Sequence, residues 1–148
     1  MSADILLHAT ATETSVRALL EEARAGLAAR DIPEQVCATV ELALAEALNN
    51  IVEHAYAQAE TGTITLAIRI LPGGLCCTLG DRGAPLPARA LPPGLPPRVD
   101  TAREALPEGG FGWFLIRSLT RELHYTREAG VNRLTLGFDL PAPGRATR

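Results

Sequence analysis

The chain contains no lysine: all 14 of its basic residues are arginine. That absence excludes Schiff-base chemistry, which needs a lysine amine. It also excludes the P-loop, whose lysine reaches the terminal phosphates. A nucleotide, if bound, must be held in another way. Cysteine is scarce: Cys37, Cys76 and Cys77 make an odd count with two adjacent residues and no CxxC spacing. This is a poor disulfide or zinc framework, and the three are read as small buried or half-buried apolar residues. The basic residues form no run that would mark a nucleic-acid or anionic-membrane surface. No stretch approaches the roughly 20 apolar residues of a membrane span. The start, Met-Ser-Ala-Asp-Ile, lacks the basic and apolar regions of a signal peptide. A cytoplasmic location is therefore the default expectation.

What is present is an ordinary globular composition. The chain has 148 residues, 47% of them hydrophobic and 21% charged, with a net charge of −3. This predicts one domain over 1–148, ordered from about residue 4 to about 140, with enough core to fold alone.

The most informative stretch is 41–56, Glu-Leu-Ala-Leu-Ala-Glu-Ala-Leu-Asn-Asn-Ile-Val-Glu-His-Ala-Tyr. It holds strong helix formers and neither Gly nor Pro. On a helix Glu46, Asn50 and His54 recur at i, i+4 and i+8 and share a stripe, flanked by Asn49 and Glu53. Val40, Leu44, Leu48, Ile51 and Val52 fall mostly on the opposite side and face a core. A carboxylate, an amide and an imidazole in file suit a metal ion, a phosphate or a proton transfer, although a solvated helix face would read the same way.

Around this stretch the pattern predicts an edge strand at Asp4–Ala9 and a helix from a cap near Thr12–Ser15 to about Arg30. A second helix starts at Asp31-Ile32-Pro33, with Asp31 as cap, and runs to about Tyr56. Thr63–Leu71 alternates as a half-buried strand, and Pro72-Gly73-Gly74 turns it into a strand at Leu75–Leu79. Residues 84–97 contain six of the 11 prolines, which forbids a regular helix or central strand there. Residues 84–109 then read as a lid, a binding loop or a floppy insertion. Gly109, Gly110 and Gly112 open an apolar helix at 113–119. Glu122–Thr126 and Asn132–Leu140 are two final strands joined at Ala129-Gly130. The order predicts an α+β two-layer sandwich, a mostly antiparallel sheet with helices on one face.

Three patches carry chemistry. Glycines that open a helix let backbone N–H groups approach an anion, though such a loop can also be a simple hinge. Asp81 could accept a hydrogen bond from an exocyclic amine, with Gly83 admitting a flat ring, though Asp-x-Gly is also common turn chemistry. Taken together, Glu46-Ala-Leu-Asn-Asn50, Asp81-Arg-Gly83, the loop 84–109 and Gly110-Phe111-Gly112 closely resemble the GHKL (Bergerat-fold) ATPase and kinase superfamily. The strings Ala-Glu-Ala-Leu-Asn-Asn-Ile-Val-Glu-His-Ala-Tyr and Gly-Gly-Phe-Gly-Trp-Phe-Leu-Ile are similar to its anti-sigma-factor serine-kinase branch. The resemblance covers about Asp4 to Leu140.

That resemblance implies a histidine-kinase-like ATPase domain that binds ATP or ADP with Mg²⁺. Asn50 would hold the metal and Glu46 would be the general base toward a protein serine. His54 would lie near the phosphates, or else pack or cap the helix. Asp81 would read the adenine amino group, with Gly83 beneath the ring. Gly109, Gly110, Phe111 and Gly112 would wrap the phosphates, and 84–109 would be the ATP lid. The implied partners are a sigma factor and an anti-anti-sigma antagonist that carries the target serine. Members of the branch often dimerise, so a homodimer is also among the implied assemblies. Two residues depart from the family: Pro85 stands where many members have Gly, and Val131-Asn132 where many have a Thr touching the adenine site. Other readings are a nucleotide-dependent module that sequesters a partner without phosphorylating it, and an ATP hydrolase like the gyrase, mismatch-repair or chaperone members. A detached sensor histidine kinase is disfavoured, because no dimerisation helix with a phosphoacceptor His precedes the domain.

Overall fold

The computed structural model describes residues 3–56, 62–93 and 110–141. Its elements are β1 (Ile5–Thr10), α1 (Glu13–Ala29), α2 (Glu34–Asn50), a π-helical turn (Ile51–Ala55), β2 (Thr63–Leu71), β3 (Gly74–Asp81), a 3-10 turn (Pro87–Arg89), α3 (Gly110–Leu119), β4 (Glu122–Glu128) and β5 (Val131–Asp139). The five strands form one sheet in the order β1-β2-β3-β5-β4, and every neighbouring pair is antiparallel. The expected α+β sandwich is the observed fold.

Alternation drives the layering. Ile64, Leu66 and Ile68 of β2, Leu75, Cys77 and Leu79 of β3, and Leu134, Leu136 and Phe138 of β5 are all buried on one face of the sheet. Val16, Leu19, Ala23 and Leu27 of α1 join that core, as do Cys37, Val40, Leu44 and Leu48 of α2, and Trp113 and Ile116 of α3. Burying each large aliphatic side chain contributes about 1.5–3 kcal/mol relative to leaving it in water. These contacts, more than helix propensity, hold α2 in place.

Local signals set the ends. Thr12 caps α1, its hydroxyl accepting from the Ser15 N–H at 3.2 Å. Ala129 and Gly130 both have positive φ, 52° and 78°, the backbone of a tight two-residue hairpin. Asp31 does not cap α2, contrary to expectation. It sits at φ 60° in the connection, and the cap position is Pro33, with no side-chain hydrogen bond. Its left-handed backbone is that of a residue just past a helix end rather than the extended backbone of a cap, and its N–H donates to the Ala28 carbonyl at 3.1 Å, closing α1. Arg24, on the polar side of α1, pairs with both Glu34 and Glu41 of α2.

Candidate functional site

The site assembles at the end of the sheet where β3 finishes. Glu46 and Asn50 lie on the last turns of α2, both half-buried. The helix does not stop at Asn50. It continues for five residues in π geometry, where the Tyr56 N–H reaches the Ile51 carbonyl at 3.3 Å. A π turn breaks the i→i+4 ladder and is often found at functional sites. Here it delivers Ala55 to the residues that follow β3: the Ala84 N–H donates to the Ala55 carbonyl at 2.7 Å. Gly83 is buried beneath this contact. A Cβ on Gly83 would lie 2.4 Å from the Ala55 carbonyl oxygen and 2.7 Å from the Ala55 Cβ. Only glycine allows the two backbones to approach so closely. Tyr56 completes the clamp, accepting from the Arg82 N–H at 2.8 Å and donating to the Thr63 carbonyl at 3.1 Å.

Asp81 ends β3 and is only 6% exposed. Its Oδ1 accepts from the Gly83 N–H at 2.9 Å, so the Asp-x-Gly turn is real. The same Oδ1 accepts from Asn132 Nδ2 at 2.9 Å. Among the described residues no donor reaches Oδ2, which remains an acceptor for an incoming group. Turn and candidate binding group are thus one arrangement, not alternatives.

Gly110 and Gly112 lie inside the first turn of α3, which begins at Gly110. A Cβ on Gly112 would sit 2.9 Å from Glu46 Oε2. The glycine therefore opens a notch into which the carboxyl of α2 fits, and two residues far apart in the chain become neighbours. Asn50, one turn beyond Glu46, has a buried Nδ2 with no hydrogen-bond partner among the described residues. An unsatisfied buried amide costs roughly 1–3 kcal/mol, so this one is a group with bonding capacity to spare. The His54 side chain is 48% exposed, and its Nε2 lies 3.9 Å from Glu53 Oε2. Gly109 and residues 94–109 of the expected lid lie outside the described residues, and of the described part only Pro87–Arg89 forms a regular turn. Phe111 takes its place in the first turn of α3 by backbone alone.

An Mg²⁺ ion is compatible with this donor set. Among the described residues no cluster of three or more His, Cys, Asp or Glu could hold a metal by itself. A hard cation that keeps several waters and takes one protein oxygen plus nucleotide phosphates fits better. Rotating the Asn50 amide by half a turn exchanges its two ends and would present oxygen where the unpartnered nitrogen lies.

Sequence reasoning missed Asn132 as a structural partner, together with Tyr125, Arg127, Tyr56 and the π turn. Asn132 is 5% exposed and, like Asp81, is a buried polar residue among the described residues. The available signal was a polar residue on the core-facing period of β5 (Asn132, Leu134, Leu136, Phe138).

A helix stripe, a strand-end Asp-x-Gly and a glycine-opened helix converging over one end of an antiparallel sheet define an ATPase domain of the histidine-kinase type. The family model described as "Histidine kinase-like ATPase domain" matches residues 9–138, and the chain belongs to this family. It is 37% identical over 99 residues to a protein of Bordetella bronchiseptica named serine/threonine-protein kinase BtrW, covering 66% of this chain and 67% of that one. It is 34% identical over 110 residues to the serine-protein kinase RsbW of Staphylococcus epidermidis, covering 73% and 66%. The chain thus spans about two thirds of these relatives. A solved structure of the RsbU and RsbW domains of a Mycobacterium tuberculosis protein shares the fold, with a TM-score of 0.60 at 22% identity over 94% of this chain and 33% of that one. No helix of the described residues is long and apolar enough to cross a membrane.

Proposed function

We propose that this chain is an ATP- and Mg²⁺-dependent protein-serine kinase of the anti-sigma-factor type. It would bind a sigma factor and phosphorylate a serine of an anti-anti-sigma antagonist protein. The observation that carries the reading is the placement of Glu46 against Gly112, at the mouth of α3 and one helical turn from the Asn50 amide. A pure binding module has no need of a carboxyl in that notch.

In this reading the adenine amino group donates to Asp81 Oδ2, and the ring lies over Gly83. The backbone N–H groups at the start of α3 face the phosphates, where the helix dipole favours negative charge. Mg²⁺, held by Asn50 and the phosphates, would neutralise charge on the transferred group. Glu46 accepts the proton of the substrate serine hydroxyl as that oxygen bonds to the γ-phosphorus and the bond to the β-phosphate oxygen breaks. ADP and phosphoserine are the products.

The test is incubation with γ-labelled ATP, Mg²⁺ and a small antagonist-domain protein carrying a candidate serine. The expected result is labelled phosphoserine on that protein. Tight Mg²⁺-dependent nucleotide binding without transfer to any such protein would overturn the kinase reading and leave a nucleotide-dependent binding module.

A further inference from the structure

The strand register brings together residues that no local motif connects. Asp81 of β3 stands directly opposite Asn132 of β5, and Asn132 stands opposite Arg127 of β4. All three project toward the helix side of the sheet, in the same period as Leu79, Leu134 and Tyr125. Asn132 Nδ2 donates to Asp81 Oδ1 at 2.9 Å, to the Ala84 carbonyl at 2.9 Å and to the Gly83 carbonyl at 3.2 Å. With two hydrogens and three acceptors, one of these bonds is shared. Asn132 Oδ1 accepts from the Tyr125 hydroxyl at 2.6 Å and from the Arg127 guanidinium at 2.9 Å. The amide orientation is unambiguous, because carbonyls surround one end and a guanidinium meets the other. Two further bonds tie the network to the chain after β3: the Tyr125 hydroxyl accepts from the Leu86 N–H at 3.1 Å, and Arg127 donates to the Gly83 carbonyl at 2.8 Å.

We infer that Asn132 is the positioning residue for base recognition, and that it couples the Asp81 carboxyl to the root of the segment beginning at Ala84. This rests on the nucleotide reading of the site and extends it to specificity. Two fixed donors, the Gly83 N–H and Asn132 Nδ2, occupy Asp81 Oδ1 and hold the carboxyl plane. Only Oδ2 remains, as a pure acceptor in a fixed direction. A purine 6-amino group satisfies it. A 6-oxo purine sets an oxygen against it, and the held carboxyl cannot rotate to seek the ring N1–H. Asn132 thus converts a carboxyl that could serve several bases into one that reads a 6-amino group. The same amide ties down the Gly83 and Ala84 carbonyls, so the floor beneath the base and the start of the following segment move with the carboxyl. Buried networks of this kind have strongly coupled members.

The experiment measures binding of ATP and of inosine triphosphate, its 6-oxo analogue, by calorimetry with Mg²⁺. The chains compared are the intact protein, Asn132→Leu, which keeps volume but removes every hydrogen bond, and Tyr125→Phe, which removes one hydroxyl at a half-buried position. The intact chain is expected to prefer ATP, with Asn132→Leu narrowing that preference about tenfold, the scale of one charge-assisted bond. Tyr125→Phe is expected to narrow it about threefold, and it decides the matter if Asn132→Leu does not fold. If both nucleotides weaken in parallel with their ratio unchanged, Asn132 is merely structural and the inference falls, while the nucleotide reading stands. If the intact chain binds neither nucleotide, both fall together.

Discussion

Glu46 Oε2 lies 2.9 Å from the point that a Cβ on Gly112 would occupy. The two residues are separated in sequence by β2, β3 and the long proline-rich segment, yet each explains the other. A helix that begins on glycine leaves room for a carboxyl from its neighbour, and a carboxyl so placed is held near whatever binds at that helix start. Replacing Gly112 with Ala should push the carboxyl aside at little cost to the fold, because a flexible side-chain end can give way. Serine phosphorylation should fall about 100-fold, as expected for a misplaced reacting group, while the melting temperature stays within a few degrees. Glu46→Gln should lower transfer by about 10²–10⁴-fold with ATP affinity nearly intact. Full transfer by Glu46→Gln would remove Glu46 from the role of base.

At Gly83 the obstacle is backbone. A Cβ there would meet the Ala55 carbonyl oxygen at 2.4 Å, and neither partner can swing away. Gly83→Ala should destabilise the chain by about 1–3 kcal/mol and weaken ATP binding at least about tenfold, because the floor of the site must shift. Thermal melting and calorimetry on the same preparation check both. An unperturbed melting temperature would mean that the π turn and the end of β3 are not locked together.

Asp81→Asn keeps shape but puts an amide where Oδ2 now accepts. Its nitrogen would face a donor amine, and the two Oδ1 bonds would weaken. Adenine nucleotide affinity should drop about tenfold or more, whereas inorganic triphosphate, if it binds, should be unaffected. Equal losses for both ligands would move Asp81 from base recognition to general stability.

The cysteines should differ sharply in reactivity. Burial pushes the Cys77 thiol far above its usual range, with the neighbouring Cys76 adding to the shift. Burial also raises Cys37, partly opposed by the Arg24 guanidinium. The thiolate is the nucleophile, so both should resist a maleimide at pH 8. Cys76, half-buried on the opposite face of β3, should take a single label in the native chain. Mass spectrometry should find one adduct before denaturation and three after. Native labelling of Cys77 would contradict its placement in the core.

Leu48 of α2 is fully buried in the core. Leu48→Ala should cost about 2–5 kcal/mol, read as a lower urea midpoint with an unchanged slope. A cost under about 1 kcal/mol would show that the helix is not anchored there.

Much of this protein was legible without coordinates. Period-two alternation in Thr63–Leu71 and Leu75–Leu79, helical spacing from Val16 to Leu27, and the turn at Ala129-Gly130 are local signals, and local signals decide local structure. The family resemblance that Glu46, Asn50, Asp81, Gly83, Gly110 and Gly112 carry was legible too, and the match of the family model over residues 9–138 bears the family out. Asp31 misled because a capping residue type can instead close the preceding helix, and the competing hydrogen bonds differ only in three dimensions. The π turn at 51–55 was invisible because Ile-Val-Glu-His-Ala favours no particular helical pitch. It exists where the Ala55 carbonyl meets Ala84.

By itself the sequence determined the elements, the buried faces and the candidate chemical groups, because each depends on side-chain pattern over a few residues. Tertiary structure alone decided which groups became partners. The pairing of β3 with β5, two strands not adjacent in the chain, set Asn132 opposite Asp81. The packing of α3 on α2 set Gly112 against Glu46. A one-residue slip in that register would have turned Asn132 to the other face of the sheet, and the carboxyl at the end of β3 would have kept its Gly83 turn but lost the amide that holds it.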